Sequence, residues 1–425
     1  MIRVLIVGGN TGREYAIIKN LHDSVKAPQI STYQWAYNPH VQKVSKQYTV
    51  GDVRDTQSVL KFAKSTKPDF AFIGQGESME SGICDLLEKE GIPCIGSRKE
   101  VAKVESSKEY CLELVSKVDQ ECVPKYKCFP TYDEDKIKGY IQSLGQPRIV
   151  VKYDGLINSK GVKIYNLEQV SIETILMQCK SWITETERVV IEEFVEGKEV
   201  SVISYVDGNT ILHSPPVRNY KRVFDNDLGE NTSGMGAVTT GKLLPFMNQT
   251  ALNKIHLINE EFFKFIRTNI DPDFKGALYG EFFITPDNQI RLIEYNTRFG
   301  NPSTINQTAL LEQNMMDLFE AIINRSLGST VITWREQSTI SAYAVPEGYP
   351  YTKVNVGVPL DLSSINIPIY YSMIDYAKNN ASLNSRLFAL CVTGNNLQDL
   401  NQIINQEMSK CRGKIHWRRD LGVVL

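Results

Sequence analysis

Short apolar runs alternate with helix-spaced stretches through roughly the first hundred residues. Val4–Val7 is aliphatic and ends in Gly8 and Gly9, and a helical stretch follows from about Glu14 to Leu21. Asp69–Gly74 repeats the junction of strand and glycine, Ile83–Lys89 reads as a helix, and Pro93–Gly96 as a third strand edge. Such alternation predicts a doubly wound parallel sheet with helices on both faces. Ligands of these sheets bind beyond the carboxyl ends of the strands, where Gly8–Gly12 and Gly74–Gly76 fall. The spacing then predicts a helix from Glu105 to about Val115, ended before Val123-Pro124. A strand-rich unit follows, with Arg148–Tyr153 and Val162–Tyr165 on either side of a glycine-containing loop. Val189–Phe194 and Glu199–Val206 read as two strands joined by a tight Glu-Gly-Lys turn. Leu278–Thr285 and Gln289–Glu294 read as a hairpin closed by Pro-Asp-Asn. A helix from about Gln313 to Asn324 precedes a last unit that begins near Val331.

Length and composition narrow this picture without redrawing it. A chain of 425 residues exceeds one ordinary core and predicts two to four domains or lobes. A formal net charge of -2 argues against bulk attraction to nucleic acid, though not against a local basic cleft around phosphates. The eight cysteines are scattered, with no CxxC pair, as in a cytoplasmic protein with reduced thiols. Ile2–Gly9 is too short for a membrane span or a cleavable signal and reads as a buried first strand, so no membrane partner is expected.

Three stretches carry candidate chemistry. In Leu292-Ile293-Glu294-Tyr295-Asn296-Thr297-Arg298, strand alternation points Glu294, Asn296 and Arg298 the same way, and Glu281 lies on the partner strand of the same hairpin. Carboxylates facing one another across a ladder need a cation or a proton, and carboxylate with amide oxygen suits Mg²⁺ on nucleotide phosphates. Lys152 on an apolar strand, followed by Ser159-Lys160-Gly161, offers a point charge and backbone N–H groups to phosphates. Taken alone it is equally an edge-strand lysine before a turn. The third stretch runs from Val190 to Ser201 through Glu192, Glu193, Phe194, Val195 and Glu199. It offers backbone groups to an adenine edge and a carboxylate to ribose hydroxyls, and read alone it is an ordinary acidic hairpin.

The order of these parts, Lys108, Lys152, Glu-Glu-Phe-Val, Glu199, Glu281 and Glu294-x-Asn296, resembles that of the ATP-grasp ligases. Further strings resemble the phosphoribosylamine–glycine ligase family within it. They are Gly9–Ala16, Gly91–Gly96 followed by Glu105–Lys108, Lys221–Ala237, Arg298-Phe299-Gly300 and Ile415–Gly422. The resemblance implies an α/β and α+β multidomain fold. Its parts are an N-terminal substrate-binding domain over 1–104, a two-lobed ATP-grasp domain over 105–330 with a mobile lid near 120–190, and a small α+β domain over 331–425. It implies ATP as cosubstrate, with Lys108, Lys152 and Lys160 on phosphates, Glu193, Phe194 and Val195 at adenine, Glu199 on ribose, and Glu192 among the ATP-binding residues. Mg²⁺ or Mn²⁺ would sit on Glu281, Glu294 and Asn296. Gly12, Arg13, Asp225, Asp227, Asn231 and Arg298 would meet the acid and the amine, and Lys152 and Arg298 would stabilise charge during transfer. The resemblance further implies a monomer or small homo-oligomer with only small-molecule partners. Departures cluster near the expected substrate: Tyr15 replaces histidine, Gln75–Met79 replaces Pro-Glu-Ala-Pro-Leu, and Asn301 and Ser303 replace two carboxylates.

Overall fold

The computed structural model describes residues 1–156, 161–351, 359–375, 381–382 and 385–423. The N-terminal unit is built on β1 (Arg3–Gly8), α1 (Gly12–His22), β2 (Gln29–Gln34), α2 (Pro39–Val44), β3 (Gln47–Val50), α3 (Thr56–Thr66), β4 (Phe70–Ile73), α4 (Gly76–Glu80), α5 (Ile83–Lys89) and β5 (Cys94–Ile95). The sheet is parallel, in the order β3-β2-β1-β4-β5. Alternation along β1 sends Val4 and Ile6 to the face that holds Ile17 and Leu21, and Leu5 and Val7 to the face that holds Val59 and Ile83. The strand order reverses between β1 and β4, so the glycine turns after both strands flank one crevice.

The expected helix over Glu105–Val115 is two helices, α6 (Lys99–Ser106) and α7 (Lys108–Ser116). Ser107 takes extended dihedrals between them and caps α7, its side chain accepting from Tyr110 N. A run of helical spacing does not reveal a cap whose partner, Asp154, lies 47 residues further along the chain: Ser107 Oγ donates to Asp154 Oδ2 at 3.0 Å.

Two antiparallel sheets follow. The first joins β6 (Tyr126–Phe129), β7 (Arg148–Tyr153), β8 (Val162–Asn166) and β9 (Val189–Glu193) in the order β6-β9-β7-β8, with α8 (Glu134–Ser143) and α9 (Ile172–Thr186) in the same unit. Lys152 is therefore on an inner strand. The second contains β10 (Lys198–Asp207) and β11 (Ile211–His213), and its remaining strands come later in the chain. The reading of β9 and β10 as a hairpin is corrected: they belong to different sheets, and Phe194–Gly197 links them. At Gly197 a Cβ would lie 2.8 Å from Ile284 O, so the glycine permits the link to cross close to the second sheet.

The chain then forms β12 (Arg218–Phe224) and β13 (Leu228–Thr239), joined through the short turn Asp225–Asp227. α10 (Gln249–Asn269) follows, buried through Ala251, Ile255, Ile258, Phe262 and Ile266 at helical spacing. β14 (Lys275–Ile284) and β15 (Ile290–Asn296) complete the second sheet as β11-β10-β14-β15. This pair is the expected Pro-Asp-Asn hairpin. After α11 (Ser303–Leu310) and α12 (Met315–Ile323), β16 (Ser338–Pro346) opens the last unit. Its sheet crosses the expected boundary near residue 331: β13 pairs with β16 on one side and carries β12 beyond it, and Phe388–Gly394 and Ile369–Tyr371 continue it on the other. No helix among the described residues is long and apolar enough to cross a membrane.

One partly buried polar cluster should give the fold a pH dependence. His213 Nδ1 lies 2.8 Å from Ser204 Oγ and its ring stacks on His256 at 4.1 Å, with Glu260 3.2 Å from His213 Nε2. Burial pushes both imidazoles down to about 4. The folded rings stay neutral where the unfolded chain takes up protons, so their contribution is fully present above about pH 6.5 and is lost as pH falls towards 4. Unfolding free energies from urea titrations between pH 7.5 and 4.5 should fall in that window by up to about 1.4 kcal/mol per pH unit for His213 and by less for the more exposed His256, and His256→Phe should flatten part of the slope. A flat profile in the unsubstituted protein would contradict the assignment.

Candidate active site

Glu281 on β14 stands opposite Glu294 on β15, and a bulge at Ile293 shifts the register beyond that pair. Ser201 pairs with Glu281, so Glu199, two residues along β10, shares their face. Lys221 reaches this face from β12 and the other sheet. Its ammonium makes a short ion pair with Glu281 and lies 3.2 Å from Glu199 and 3.9 Å from Glu294. Burial, together with Glu294 and Glu199, pushes the Glu281 carboxyl up to about 7 in spite of Lys221. Burial also opposes ionisation of Glu294, but Lys221, Lys108, Lys152 and Arg298 together hold it below the usual carboxylate range.

The first sheet supplies the other cations. Lys152 and Glu192 are diagonal neighbours on β7 and β9, 2.7 Å apart, and both are buried. Lys152 Nζ also donates to Ile293 O at 3.1 Å, tying the first sheet to the bulge beside Glu294. Burial raises Glu192 and lowers Lys108. Lys108 Nζ donates to Gly155 O at 3.3 Å while its backbone N–H donates to Asp154. Lys108 and Lys152 thus flank one seam between the sheets. Lys160, the third expected phosphate ligand, lies outside the described residues.

Glu193 turns its carboxylate away, accepting from Arg291 and from Lys125 N at 2.9 Å. Phe194 is pinned by Gln146 at its backbone and by Arg148, 3.9 Å over its ring. Val195 follows, half-buried, in the link between sheets. Along this stretch the backbone rather than the Glu193 side chain remains for an adenine edge. Glu199 Oε1 is buried and faces the Lys221 ammonium at 3.2 Å, so the expected ribose ligand is engaged by protein in this structure.

Arg298 Nε donates to Glu105 Oε1 at 2.8 Å and its NH2 to Asn296 Oδ1 at 3.2 Å. Glu105 Oε2 accepts from Thr297 N, and its carboxylate fills the space that a side chain on Gly76 would take, 2.9 Å from the Cβ position. Arg13 pairs with Glu14 and donates to Phe299 O at 2.9 Å, so it is buried scaffold beneath the loop that carries Arg298. Gly12 N donates to the Tyr343 hydroxyl, which donates in turn to Asn301 Oδ1 at 2.7 Å. These two expected substrate contacts, Gly12 and Arg13, are already engaged by protein.

Asp225 and Asp227 also differ from expectation. The expected flexible loop is the β12–β13 hairpin, and its turn is held by the C-terminal segment rather than aimed at the carboxylate cluster. Arg418, 1% exposed, lies 2.5 Å from Asp227 and 2.8 Å from Asp420, over the ring of Tyr220. Asp225 accepts from Arg419 N at 2.7 Å. Asn231 lies on β13 opposite Arg222. The physical reason is that Asp227 pairs with the buried Arg418 and Asp225 accepts from the Arg419 backbone, partners that sequence distance concealed. Lys221, Glu105, Tyr343, Arg386 and Arg418 are the residues sequence reasoning missed. Lys221 was visible only as the first letter of a family string. Arg386 donates to Ser233 O at 2.5 Å and Gly234 O at 3.1 Å, fixing the glycine-rich end of that string.

The donors suit a hard divalent cation. Glu281 and Glu294 face each other as ladder partners, with Glu199 on the same face and Lys221 as the cation nearest to Glu281. Among the described residues no group of three or more His, Cys, Asp or Glu is placed to hold a metal ion; the expected set has two carboxylates and the amide of Asn296.

The model for the N domain of phosphoribosylglycinamide synthetase matches residues 2–105, and that for its ATP-grasp (A) domain matches residues 106–304. Phosphoribosylamine–glycine ligase of Methanocella arvoryzae is 31% identical over 423 residues, covering 99% of this chain and 96% of the relative. That of Pyrococcus furiosus is 31% identical over 434 residues, covering 99% and 94%. Among solved structures, phosphoribosylamine–glycine ligase from Thermotoga maritima has a TM-score of 0.80 at 22% identity, covering 99% of this chain and 100% of its own.

Replacing Arg418 with Ala should leave Asp420 without its arginine and Asp227 with Arg218 alone, lower stability by about 2 kcal/mol and raise amide exchange across residues 218–239. Unchanged exchange in that hairpin would show that Arg418 does not hold it.

Proposed function

The chain belongs to the phosphoribosylglycinamide synthetase family, and we propose that it joins glycine to 5-phosphoribosylamine with ATP, giving glycinamide ribonucleotide, ADP and phosphate. The observation that carries this reading is that Lys221, 3.9 Å from Glu294, Lys152, bonded to Ile293 O, and Arg298, bonded to Asn296 Oδ1, meet at the end of β15, with Lys108 at the same seam. That arrangement of charge suits phosphoryl transfer to a carboxylate.

The glycine carboxylate attacks the γ-phosphorus, breaking its bond to the β-bridging oxygen and forming an acyl phosphate and ADP. The amine then attacks the acyl carbon, and phosphate leaves. Lys108 and Lys152 hold phosphate oxygens, and Arg298, fixed by Glu105, faces the charge that shifts between the two steps. Glu281, Glu294 and Asn296 hold a divalent cation, Mg²⁺ or Mn²⁺, which when bound neutralises phosphate charge. The backbone of Glu193–Val195 meets adenine and Glu199 a ribose hydroxyl. In this reading 1–104 takes the amine, 105–330 is the ATP-grasp domain, 331–425 completes the site, and the lobe near 120–190 closes to keep water from the acyl phosphate. The same reading carries small-molecule partners and a cytoplasmic location, supported by cysteines that are free throughout.

The test is ADP release by purified protein with ATP and Mg²⁺. Glycine with freshly generated phosphoribosylamine should support turnover, and a panel of other acids and amines should not. Activity confined to other pairs would sink this substrate assignment while keeping the ligase. Glu294→Ala should reduce turnover at least about a hundredfold with its melting temperature little changed. Near-normal turnover in that variant would refute its role.

A further inference from the structure

We propose that Lys221 is an exchangeable internal counter-ion, which holds the Glu281–Glu294 pair together in the metal-free chain and must give way when a divalent cation binds there. The proposal rests on the reading of Glu281, Glu294 and Asn296 as the cation site.

The two carboxylates are direct partners in the β14–β15 ladder, so their spacing is set by backbone. Something positive has to lie between them, and the nearest positive group is not on their own sheet. Lys221 comes from β12, whose backbone is fixed independently. Thr232 Oγ1 donates to Lys221 O at 2.8 Å, and the neighbouring Asn219 donates to Ser201 Oγ at 3.0 Å and to the Tyr279 hydroxyl. What remains free is the four-carbon stem, which carries a compact charge able to swing away. Its side chain is 24% exposed, so a path to solvent is open.

Competition follows from the atoms involved. The ammonium occupies Glu281 Oε2 and sits 3.2 Å from Glu199 and 3.9 Å from Glu294. A divalent ion on Glu281 and Glu294 would need the same lone pairs, and like charges a few ångströms apart in a half-buried site repel strongly. Arg298 does not compete in the same way, because Glu105 anchors it and only Asn296 Oδ1 is engaged. The consequence is selectivity of loading. A free divalent cation has to displace Lys221 unaided, whereas one that arrives with a polyphosphate brings negative charge for Lys221 to move to.

The experiment measures Mn²⁺ binding to the nucleotide-free protein by the electron paramagnetic resonance of free Mn²⁺. Lys221→Met should bind Mn²⁺ about tenfold tighter or better, since the competent form of the site is no longer shared with an internal competitor. Lys221→Arg, which keeps the charge, should stay near the unsubstituted protein. The melting temperature of Lys221→Met should be lower in EDTA and should rise more on adding Mn²⁺. If three uncompensated carboxylates prevent folding, the double variant Lys221→Met/Glu199→Gln keeps the facing pair with one charge fewer and should still show the tighter binding. Equal or weaker affinity without Lys221, with Glu294→Ala still weakening Mn²⁺ binding, overturns the counter-ion role and leaves the cation site standing. Binding that is insensitive to Glu294 in every variant overturns both.

Discussion

The rest of the site depends on a pair of carboxylates that one hairpin forces to face each other. Glu281 and Glu294 are ladder partners, and their mutual repulsion is added to the cost of burial. Burying unpaired charge is among the most expensive things a fold can do, so the surrounding structure has to deliver cations to this point. It does so from separate pieces of the chain: Lys152 from the first antiparallel sheet, Lys108 from the start of α7, Arg298 from the loop after β15, and Lys221 from the sheet of the last unit.

Each cation is itself anchored, and the anchors are the seams between units. Lys152 bonds to Ile293 O, Asp154 caps α7 from the end of β7, Arg298 is gripped by Glu105, and Lys221 rides on a hairpin fastened by Arg418. A change in the relation of any two units therefore reaches Glu294 as a change in local charge. The C-terminal segment is part of the site in this sense. Through Arg418, Tyr343 and Arg386 it positions the hairpin, the first glycine turn and the loop after Arg298.

The positions that depart from the family pattern share a character. Asn301 accepts from Tyr343, Ser303 Oγ donates to the Tyr279 hydroxyl, and Tyr15 packs edge-on against Tyr370 and Tyr371. Gln75 lies so close over Gly9 that no Cβ fits there. All four replacements meet neighbouring side chains or backbone of the crevice wall, so they act on one another through packing as well as on the ligand space.

The sequence by itself determined the parallel first sheet, the Pro-Asp-Asn hairpin and the meeting of Glu281 with Glu294. These follow from alternation and turn chemistry within short windows, which a linear pattern records faithfully. It also held the order of parts that marks the family. Tertiary structure alone decided that β9 and β10 part company into two sheets, that helical spacing breaks at Ser107, and that Asp225 and Asp227 turn to the C-terminal segment. It alone decided that Lys221 supplies the charge between the carboxylates. In each case the deciding partner lies tens to hundreds of residues away: Asp154 for Ser107, Arg418 for Asp227, Glu281 for Lys221. Local periodicity reports which face a residue occupies, whereas the neutralisation of buried charge is settled by whichever opposite charge the folded chain brings within a few ångströms.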